Sequence, residues 1–115
     1  MNICKEWGID GNKKLRYNLI ESKDGHSLTE FIGQRLQIKA YILTEETNQQ
    51  TGEVGKLLKL ITTDNEIIGT SSPSFIQGFE RYLDCMETDE CPELEVGQGT
   101  SKSNRRYLCF KAPMD

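Results

Sequence analysis

Three segments in the middle of the chain are predicted to form β-strands, and the first of them shows a regular alternation of apolar and polar residues. From Leu36 to Leu43 the apolar residues recur at every second position (LQIKAYIL), which is the period of a strand with one buried face. Residues 56–63 (KLLKLITT) and 66–71 (EIIGTS) do not alternate strictly, but they are short apolar and β-branched runs and are predicted as a second and a third strand. The turn at Asp64–Asn65 between them is of the short kind that joins hairpin strands. The sequence therefore predicts three consecutive antiparallel strands.

A helix is expected directly after the third strand. Ser72 and Pro73 are typical of a helix start, because a serine hydroxyl caps free N–H groups and proline fits the first helical position. The apolar residues that follow recur every four positions and form one stripe: Phe75, Phe79 and Leu83. We expect a helix over residues 73–86 that plugs one end of a barrel with this stripe. Gly78 inside the helix suggests a close approach to a strand.

Two further strands are predicted in the last part of the chain. Residues 94–96 begin a fourth strand, residues 97–104 form a polar loop with two glycines, and residues 105–111 (RRYLCFK) form a fifth strand. The order of three strands, one helix and two strands is that of the OB fold. We therefore expect a mainly β, five-stranded OB-fold barrel with one α-helix between strands 3 and 4. The alternative is an α+β domain with a meander and one helix.

The first third of the chain has the weakest pattern. Residues 1–14 are polar and contain glycine, so we expect a loosely ordered lead-in. Residues 15–20 (LRYNLI) are predicted to form a strand, residues 22–26 a turn, and residues 28–32 one helical turn that ends at Gly33. The length of 115 residues is that of one domain, so the whole chain is expected to form a single OB-fold-like domain.

Charge is distributed unevenly along the chain. The formal charge of −4 argues against a strongly basic nucleic-acid binder. However, six of the 18 acidic residues lie in residues 84–95, so the rest of the chain holds 14 basic against 12 acidic residues. That remainder can present a local basic surface. The acidic segment itself has two interpretations, a solvated connection between helix and strand or a protein-binding face.

The sequence contains no pattern that indicates catalysis or metal binding. The four cysteines, at positions 4, 85, 91 and 109, lack the spacing of zinc ligands. The single histidine, His26, lies in a polar turn, and neither a nucleophile elbow nor a phosphate-binding glycine loop is present. We expect free thiols, no metal, no cofactor and no enzymatic activity.

The expected location is the cytoplasm. No segment reaches the ~18 uninterrupted apolar residues of a membrane helix, so no membrane contact is expected. The N-terminal residues (MNICKEWGIDGNKKLRYN) lack the apolar core of a signal peptide.

The outward face of the predicted barrel carries aromatic and basic side chains. Alternation assigns a set of residues on the first and last strands to the core: Leu36, Ile38, Ala40, Ile42, Leu108 and Phe110. It leaves Tyr41 and Tyr107 pointing outward with cations beside them. Unpaired bases stack on aromatic rings while cations follow the phosphates, so these side chains suggest binding of a single strand. The candidate nucleic-acid-binding residues are Lys39, Tyr41, Lys59, Lys102, Arg105, Arg106, Tyr107 and Lys111. Alternatively, the tyrosines are ordinary strand residues that loops partly cover.

Several of these segments together carry a resemblance to a known family. They are residues 57–63 (LLKLITT), residues 67–71 (IIGTS), the helix Phe75–Leu83 and the closing segment 99–111. The region from Tyr17 to Lys111 resembles the small OB-fold single-stranded-DNA-binding proteins encoded by phages and mobile elements of Gram-positive bacteria.

The resemblance implies a non-enzymatic role in phage or mobile-element replication or recombination. The protein would coat single-stranded DNA cooperatively and without sequence preference, in the cytoplasm of the host cell. Single-stranded DNA would be the main partner. The role also allows a homo-oligomer and contact with a host replication or repair protein.

A second class of function would use the acidic segment instead. Small acidic proteins of phage type also act as inhibitors or DNA mimics, whose carboxylates imitate phosphates in the basic groove of a host nucleic-acid enzyme. Residues 84–95 would then be the active element and the tyrosines would be structural. Salt-sensitive binding of oligo(dT) favours the first class. Its absence, together with capture of a host nuclease or repair enzyme, favours the second.

Overall fold

The computed structural model describes residues 2–22 and 25–113, and these residues form a mainly β structure. The helices are α1 (Lys13–Glu21) and α2 (Pro73–Met86), with a short 3₁₀ turn at Leu28–Phe31. The strands are β1 (Asn2–Trp7), β2 (His26–Ser27), β3 (Arg35–Thr47), β4 (Val54–Thr62), β5 (Ile67–Thr70), β6 (Glu93–Thr100) and β7 (Arg106–Lys111). Neither of the described helices has the length and apolar character that crossing a membrane requires.

The strands form one curled sheet in the order β2-β5-β4-β3-β6-β7. β1 pairs with residues 41–45 of β3 on the edge opposite β4, where β6 pairs with residues 35–37. β3, β4 and β5 are consecutive antiparallel neighbours, and after α2 the chain returns so that β6 pairs with β3. Such a return of a fourth strand to the first is a Greek-key arrangement. β7 follows β6 as a hairpin. Among the described residues no ladder joins β5 to β7, so the sheet is a curled half-barrel.

The predicted elements in the middle of the chain are confirmed. The segments predicted as the first three strands correspond to β3, β4 and β5, and the helix over residues 73–86 is α2. The Ser72 hydroxyl accepts a hydrogen bond from the N–H of Phe75 at 3.4 Å, and Pro73 occupies the first turn. Asn65, at φ 66°, reverses the chain between β4 and β5. Local chemistry therefore determined both ends of these elements.

The N-terminal region corrects two expectations. Asn2–Trp7, expected within a loosely ordered lead-in, forms β1 and pairs antiparallel with β3. Residues 15–20, expected as a strand, lie in α1, where the Asn12 side chain accepts a hydrogen bond from the N–H of Leu15 at 3.1 Å. A short apolar run can fit either period, so alternation alone did not decide between strand and helix.

The strand and helix counts therefore differ from a five-stranded barrel with one helix. The described residues form seven strands, two α-helices and the 3₁₀ turn. The single helical turn expected at residues 28–32 is confirmed as Leu28–Phe31, with Ser27 and Glu30 forming its capping box. Of the turn expected at residues 22–26, Lys23 and Asp24 lie outside the described residues.

The main core lies between the inner face of the sheet and α2. Phe75, Phe79 and Leu83 are buried there, as the apolar stripe predicts. Gly78 faces β7 so closely that an added Cβ would lie 3.0 Å from Cβ of Phe110. The helix and strand therefore approach each other where the side chain is absent, as the sequence suggested.

A second, smaller cluster lies on the opposite face of the sheet under α1. Leu19 is fully buried and packs with Ala40, Ile42 and Ile61, and Ile9 closes the cluster. α1 thus covers the outer face of β3 and β4. The central part of β3 is consequently buried on both faces, which explains its nearly continuous apolar sequence.

A β-bulge in β3 determines which of its residues join each of the two clusters. Ile38 lies opposite Thr62 and Ala40 lies opposite Ile61, so Lys39 is the additional residue. A bulge changes which side of the sheet the following residues face. The residues of β3 in the main core are Leu36, Ile38, Tyr41 and Leu43. The expectation that Ala40 and Ile42 share a core with Leu36 is therefore wrong.

Candidate nucleic-acid interface

Tyr41, a predicted base-stacking residue, is fully buried in the main core. Its ring meets Phe79 edge to face at 4.9 Å between ring centres, and its hydroxyl donates a hydrogen bond to the backbone oxygen of Asp89 at 2.6 Å. Burial, with a smaller contribution from the Asp89 charge, raises the pKa of the Tyr41 phenol above its ordinary value. The expected outward position of Tyr41 is wrong, because the bulge at Lys39 turns this ring inward.

Lys59, a predicted phosphate contact, stabilises a helix end instead. Its Nζ atom donates hydrogen bonds to the backbone oxygens of Ile20 at 2.9 Å and Ser22 at 2.8 Å, at the C-terminus of α1. A cation is favourable there because the last carbonyls of a helix lack partners within it. Burial lowers the pKa of Lys59. Lys59 does lie on the outer face of β4, but two of its three donors are already used by α1.

Lys39 is exposed at the bulge of β3. Its Nζ atom donates a hydrogen bond to the side-chain oxygen of Asn65 in the turn between β4 and β5. The predicted pair of Lys39 with Tyr41 on one surface does not exist, because only the lysine is exposed. Lys39 is therefore an exposed cation that lacks the predicted aromatic neighbour on its own surface.

The predicted residues of the last strand lie on the β6–β7 hairpin. Tyr107 lies opposite Gly99 and Lys111 opposite Glu95. Leu108 and Phe110 alternate with them and pack toward the main core, as predicted. Tyr107 remains 43% exposed. Strict alternation is correct here because the hairpin register contains no bulge.

Two glycines of β6 lie directly beneath the side chains of Tyr107 and Lys111. A Cβ added to Gly99 would lie 2.3 Å from Cζ of Tyr107, so the ring lies across this residue. A Cβ added to Gly97 would lie 2.7 Å from Cε of Lys111, whose aliphatic chain crosses the strand in the same way. We refer to this surface as the hairpin face, and its residues are Gly97, Gly99, Arg105, Tyr107 and Lys111.

The other predicted cations lie at the tip of the hairpin. Lys102, Arg105 and Arg106 are all exposed. The turn is closed by the N–H of Ser101, which donates to the backbone oxygen of Arg105 at 2.8 Å. Arg105 precedes β7 and has the parity of Tyr107, whereas Arg106 lies opposite Thr100 with the parity of Leu108. Arg105 therefore belongs to the hairpin face, and Arg106 lies on the other side of the hairpin.

Sequence reasoning did not select Gly97, Gly99 or Arg35. Arg35, on β3, forms ion pairs with Glu93 and Glu95, each at 3.8 Å, so acidic side chains border the β3 side of the hairpin face. The spacing of Gly97 and Gly99 contained a usable signal, because residues two apart in a strand share one face. A strand that lacks side chains at two successive positions of one face leaves room for neighbouring side chains.

Several acidic residues lie at the C-terminal end of α2 and directly after it. Asp84, Glu87 and Asp89 line one shallow depression with Leu83 and Lys5. The Lys5 ammonium lies 3.8 Å from a carboxylate oxygen of Asp84 and of Asp89. Glu87 ends the helix at φ 53° and directs the chain away from it. We refer to Asp84, Glu87 and Asp89 as the acidic end.

The cysteine thiols and one surface groove are the other features of the described residues that could take part in chemistry or binding. All four cysteines are free, and burial raises the pKa of Cys91 to about 12. Within residues 2–22 and 25–113 no group of histidine, cysteine and acidic side chains could hold a metal ion. A groove of about 500 Å³ lies beside α1, with Ile42 and Leu57 among its lining residues.

Comparison with protein-family models, curated proteins and solved structures gives no match for this chain.

Proposed function

We propose that this protein binds single-stranded DNA through the hairpin face, without sequence preference, in the replication or recombination of a phage or mobile element. One observation supports the proposal most. The exposed ring of Tyr107 lies across Gly99, Lys111 lies on the same face of the hairpin, and the exposed Arg105 precedes β7 with the parity of Tyr107. A single strand offers the matching groups, which are bases that stack on a ring and phosphates that attract cations.

The strand order supports an OB-fold interpretation of the half-barrel. The OB fold is a partly open Greek-key barrel, whose second and third strands and two loops bind oligonucleotides. β3, β4, β5, β6 and β7 supply the five strands, and α2 lies between the third and the fourth. The outer face of β4 is covered by α1 through Ile61. We therefore assign binding to the hairpin and to its turn, which is the loop between the fourth and fifth strands.

The proposal uses fewer residues than the sequence suggested. Tyr41 cannot stack a base while it fills the core, and Lys59 is occupied by α1. One aromatic platform and the cations Arg105, Lys111 and Lys102 remain in one region. Affinity per molecule should therefore be modest, because each stacked base contributes only ~1–3 kcal/mol. Tight coating of a strand would then require contacts between neighbouring copies.

The test is a fluorescence titration of the purified protein with oligo(dT) at two salt concentrations. Tyr107→Ala should weaken binding about 5- to 150-fold at both concentrations, because stacking is not electrostatic. Arg105→Ala should reduce the slope of log affinity against log salt by about 0.7 for each lost phosphate contact. The control is Tyr17→Ala, since Tyr17 is a 66% exposed tyrosine on α1, outside the hairpin. Unchanged binding by Tyr107→Ala would contradict the assignment of the site.

The acidic end supports a second candidate, a DNA mimic that occupies the basic groove of a host enzyme. The supporting observation is that Asp84, Glu87 and Asp89 share one surface depression. In this case the wild-type protein would not bind oligo(dT) but would compete with DNA for the enzyme. Replacing the three residues by Asn, Gln and Asn would then remove the competition.

A further inference from the structure

We infer that Gly99 makes Tyr107 a platform for the face of one unpaired base, so that the hairpin recognises unpaired bases and not phosphates alone. This inference rests on the proposed function and adds to it the residue that orients the platform. Gly99 acts through Tyr107 and is therefore a positioning residue.

The space above Gly99 is filled by the tyrosine ring. A Cβ at this position would lie 2.3 Å from Cζ, 2.5 Å from the hydroxyl oxygen and 2.7 Å from Cε2 of Tyr107. All three atoms belong to the far end of the side chain. Any residue other than glycine would therefore push the ring away from the strand, while the backbone of the hairpin could stay in place.

Backbone conformation does not explain this glycine. The described glycines with positive φ are Gly8, Gly11, Gly33 and Gly52, all outside β6. Gly99 lies within the ladder, opposite Tyr107, where glycine weakens a strand because it has no side chain to pack. The available space is thus the property that distinguishes glycine here.

The orientation of the ring determines the ligand class. A side chain in a strand ordinarily stands away from the sheet, whereas this ring extends across the strand and stays 43% exposed. Such a ring can contact the face of a base. Bases inside a duplex have both faces covered by their neighbours, so only an unpaired base offers its face. Because every base has such a face, the contact tolerates any sequence.

A purely structural interpretation of the same contact is available. An aromatic ring across a glycine can stabilise a sheet by covering the exposed backbone. In that case the ring position would affect folding and would not depend on bases in a ligand. The two interpretations are separated by ligands that differ only in their bases.

The experiment compares three ligands of equal length, oligo(dT), an abasic oligodeoxynucleotide and a blunt duplex. The wild-type protein should bind oligo(dT) about 5- to 150-fold more tightly than the abasic strand, which has phosphates but no bases. In Gly99→Ala this ratio should fall toward one, while affinity for the abasic strand and its salt slope stay unchanged. The affinity for the blunt duplex should be the same in the wild-type protein and in Gly99→Ala, because the bases inside a duplex offer no face to the ring.

Two glycine variants serve as controls. Gly69→Ala adds a methyl group to β5 where the nearest atom, Cγ of Lys59, is 3.9 Å away, so it should leave the ratio intact. Gly97→Ala lies on the hairpin face but displaces Lys111 and Cys109 instead of Tyr107. Because Lys111 contacts phosphates and not bases in this proposal, any loss of affinity should be equal for oligo(dT) and the abasic strand. Thermal unfolding of each variant verifies that the hairpin is folded, and Tyr107→Leu replaces Gly99→Ala if that variant does not fold.

The outcomes distinguish the inference from the proposed function. If the wild-type protein does not bind oligo(dT), the proposed function fails and the inference fails with it. If the wild-type protein binds and Gly99→Ala keeps the full ratio, only the inference is overturned. An equal loss for oligo(dT) and the abasic strand would also overturn it, because the ring would then serve structure or charge placement.

Discussion

Two strands of this protein each contain a tyrosine close to basic residues, and the two tyrosines have opposite environments. Tyr41 of β3 is fully buried and hydrogen-bonded to Asp89, whereas Tyr107 of β7 is 43% exposed on the hairpin face. Strict alternation along each strand assigned both rings to the outward face, beside a lysine in one strand and two arginines in the other. The difference teaches that alternation assigns a side chain to a face only when the register between strands is uninterrupted.

The physical reason is the bulge at Lys39. One additional residue shifts the alternation of every residue that follows in the strand. Tyr41 therefore joins Ile38 in the main core, although the two residues are three positions apart. In β7 the pairing with β6 runs without interruption from Arg106 to Lys111, so Tyr107 faces outward as predicted.

Removing the buried ring of Tyr41 should change the stability of the protein more than any of the substitutions that follow. Tyr41→Ala should lower the free energy of unfolding by about 3–5 kcal/mol, because it removes a large core side chain and leaves a cavity. Tyr107→Ala should lower it by less than about 1 kcal/mol, as is usual for surface positions. Urea unfolding of both variants gives the two values. Equal losses would mean that the two tyrosines are equally buried in solution.

The packing of β7 on α2 can be disturbed without touching either tyrosine. Gly78→Leu places a side chain where even a Cβ would lie 3.0 Å from Phe110, so we expect a loss of about 1–3 kcal/mol from overpacking. Gly99→Ala on the opposite face of the hairpin should cost less, since only the end of the Tyr107 ring has to move. Differential scanning calorimetry of both variants checks the order. A more destabilising Gly99→Ala would contradict the described placement of the ring.

Alkaline pH should distinguish the two tyrosines through the ionisation of Tyr41. Its pKa is raised in the folded protein by burial and by Asp89, so the unfolded chain loses this proton at lower pH than the native state. Stability is therefore full below the unfolded pKa of about 10 and falls as the pH rises above it, by about 1 kcal/mol between pH 10 and 11. Tyr41→Phe should abolish this part of the loss.

The measurement is urea unfolding at several pH values from 8 to 11, for the wild-type protein, Tyr41→Phe and Tyr107→Phe. The buried Cys91 thiol, with its raised pKa, adds a loss of its own from about pH 9 in all three proteins. The difference between wild type and Tyr41→Phe therefore isolates the phenol. An identical pH profile for these two proteins would argue against burial of Tyr41.

The smallest expected effect concerns the hydrogen bond that ties β7 to the start of α2. The Ser74 hydroxyl donates to the backbone oxygen of Leu108 at 2.6 Å. Ser74→Ala should cost about 0.5–1.5 kcal/mol, the usual net contribution of such a bond. Hydrogen exchange of the β7 amides should accelerate, while the amides of β3 remain protected. Uniform acceleration in both strands would show that the bond stabilises the whole molecule and not the hairpin alone.

The sequence contained more information on β3 than simple alternation used. Four consecutive apolar residues, from Ala40 to Leu43, indicate a strand that is buried on both faces. That run was a signal that Tyr41 would be covered. The bulge itself was not predictable, because it depends on how β3 pairs with β4 and not on β3 alone. The helix α1 had signals too, in the Asn12 cap and the apolar pair Leu15 and Leu19.

The candidate site shows the same division between local and tertiary information. The hairpin residues Arg105, Tyr107 and Lys111 could be selected from residue type and strand parity. Lys59 could not be excluded from the sequence, because its carbonyl partners at Ile20 and Ser22 are about forty positions away in the chain. Tertiary contacts of this kind decide whether an exposed-looking cation is available to a ligand.

The sequence by itself determined β3, β4, β5, α2, β7 and the start of β6, since each depends on short-range periodicity, caps and turns. The loop predicted over residues 97–104 is wrong for residues 97–100, which continue β6 and pair with β7. Only the tertiary structure decided which face of β3 became core, that β1 pairs with β3, and that α1 covers the outer face of β4. Those features depend on pairing between distant segments and on burial of apolar area. The free energy of such pairing depends on the residues of both segments, whereas a local sequence pattern describes only one segment.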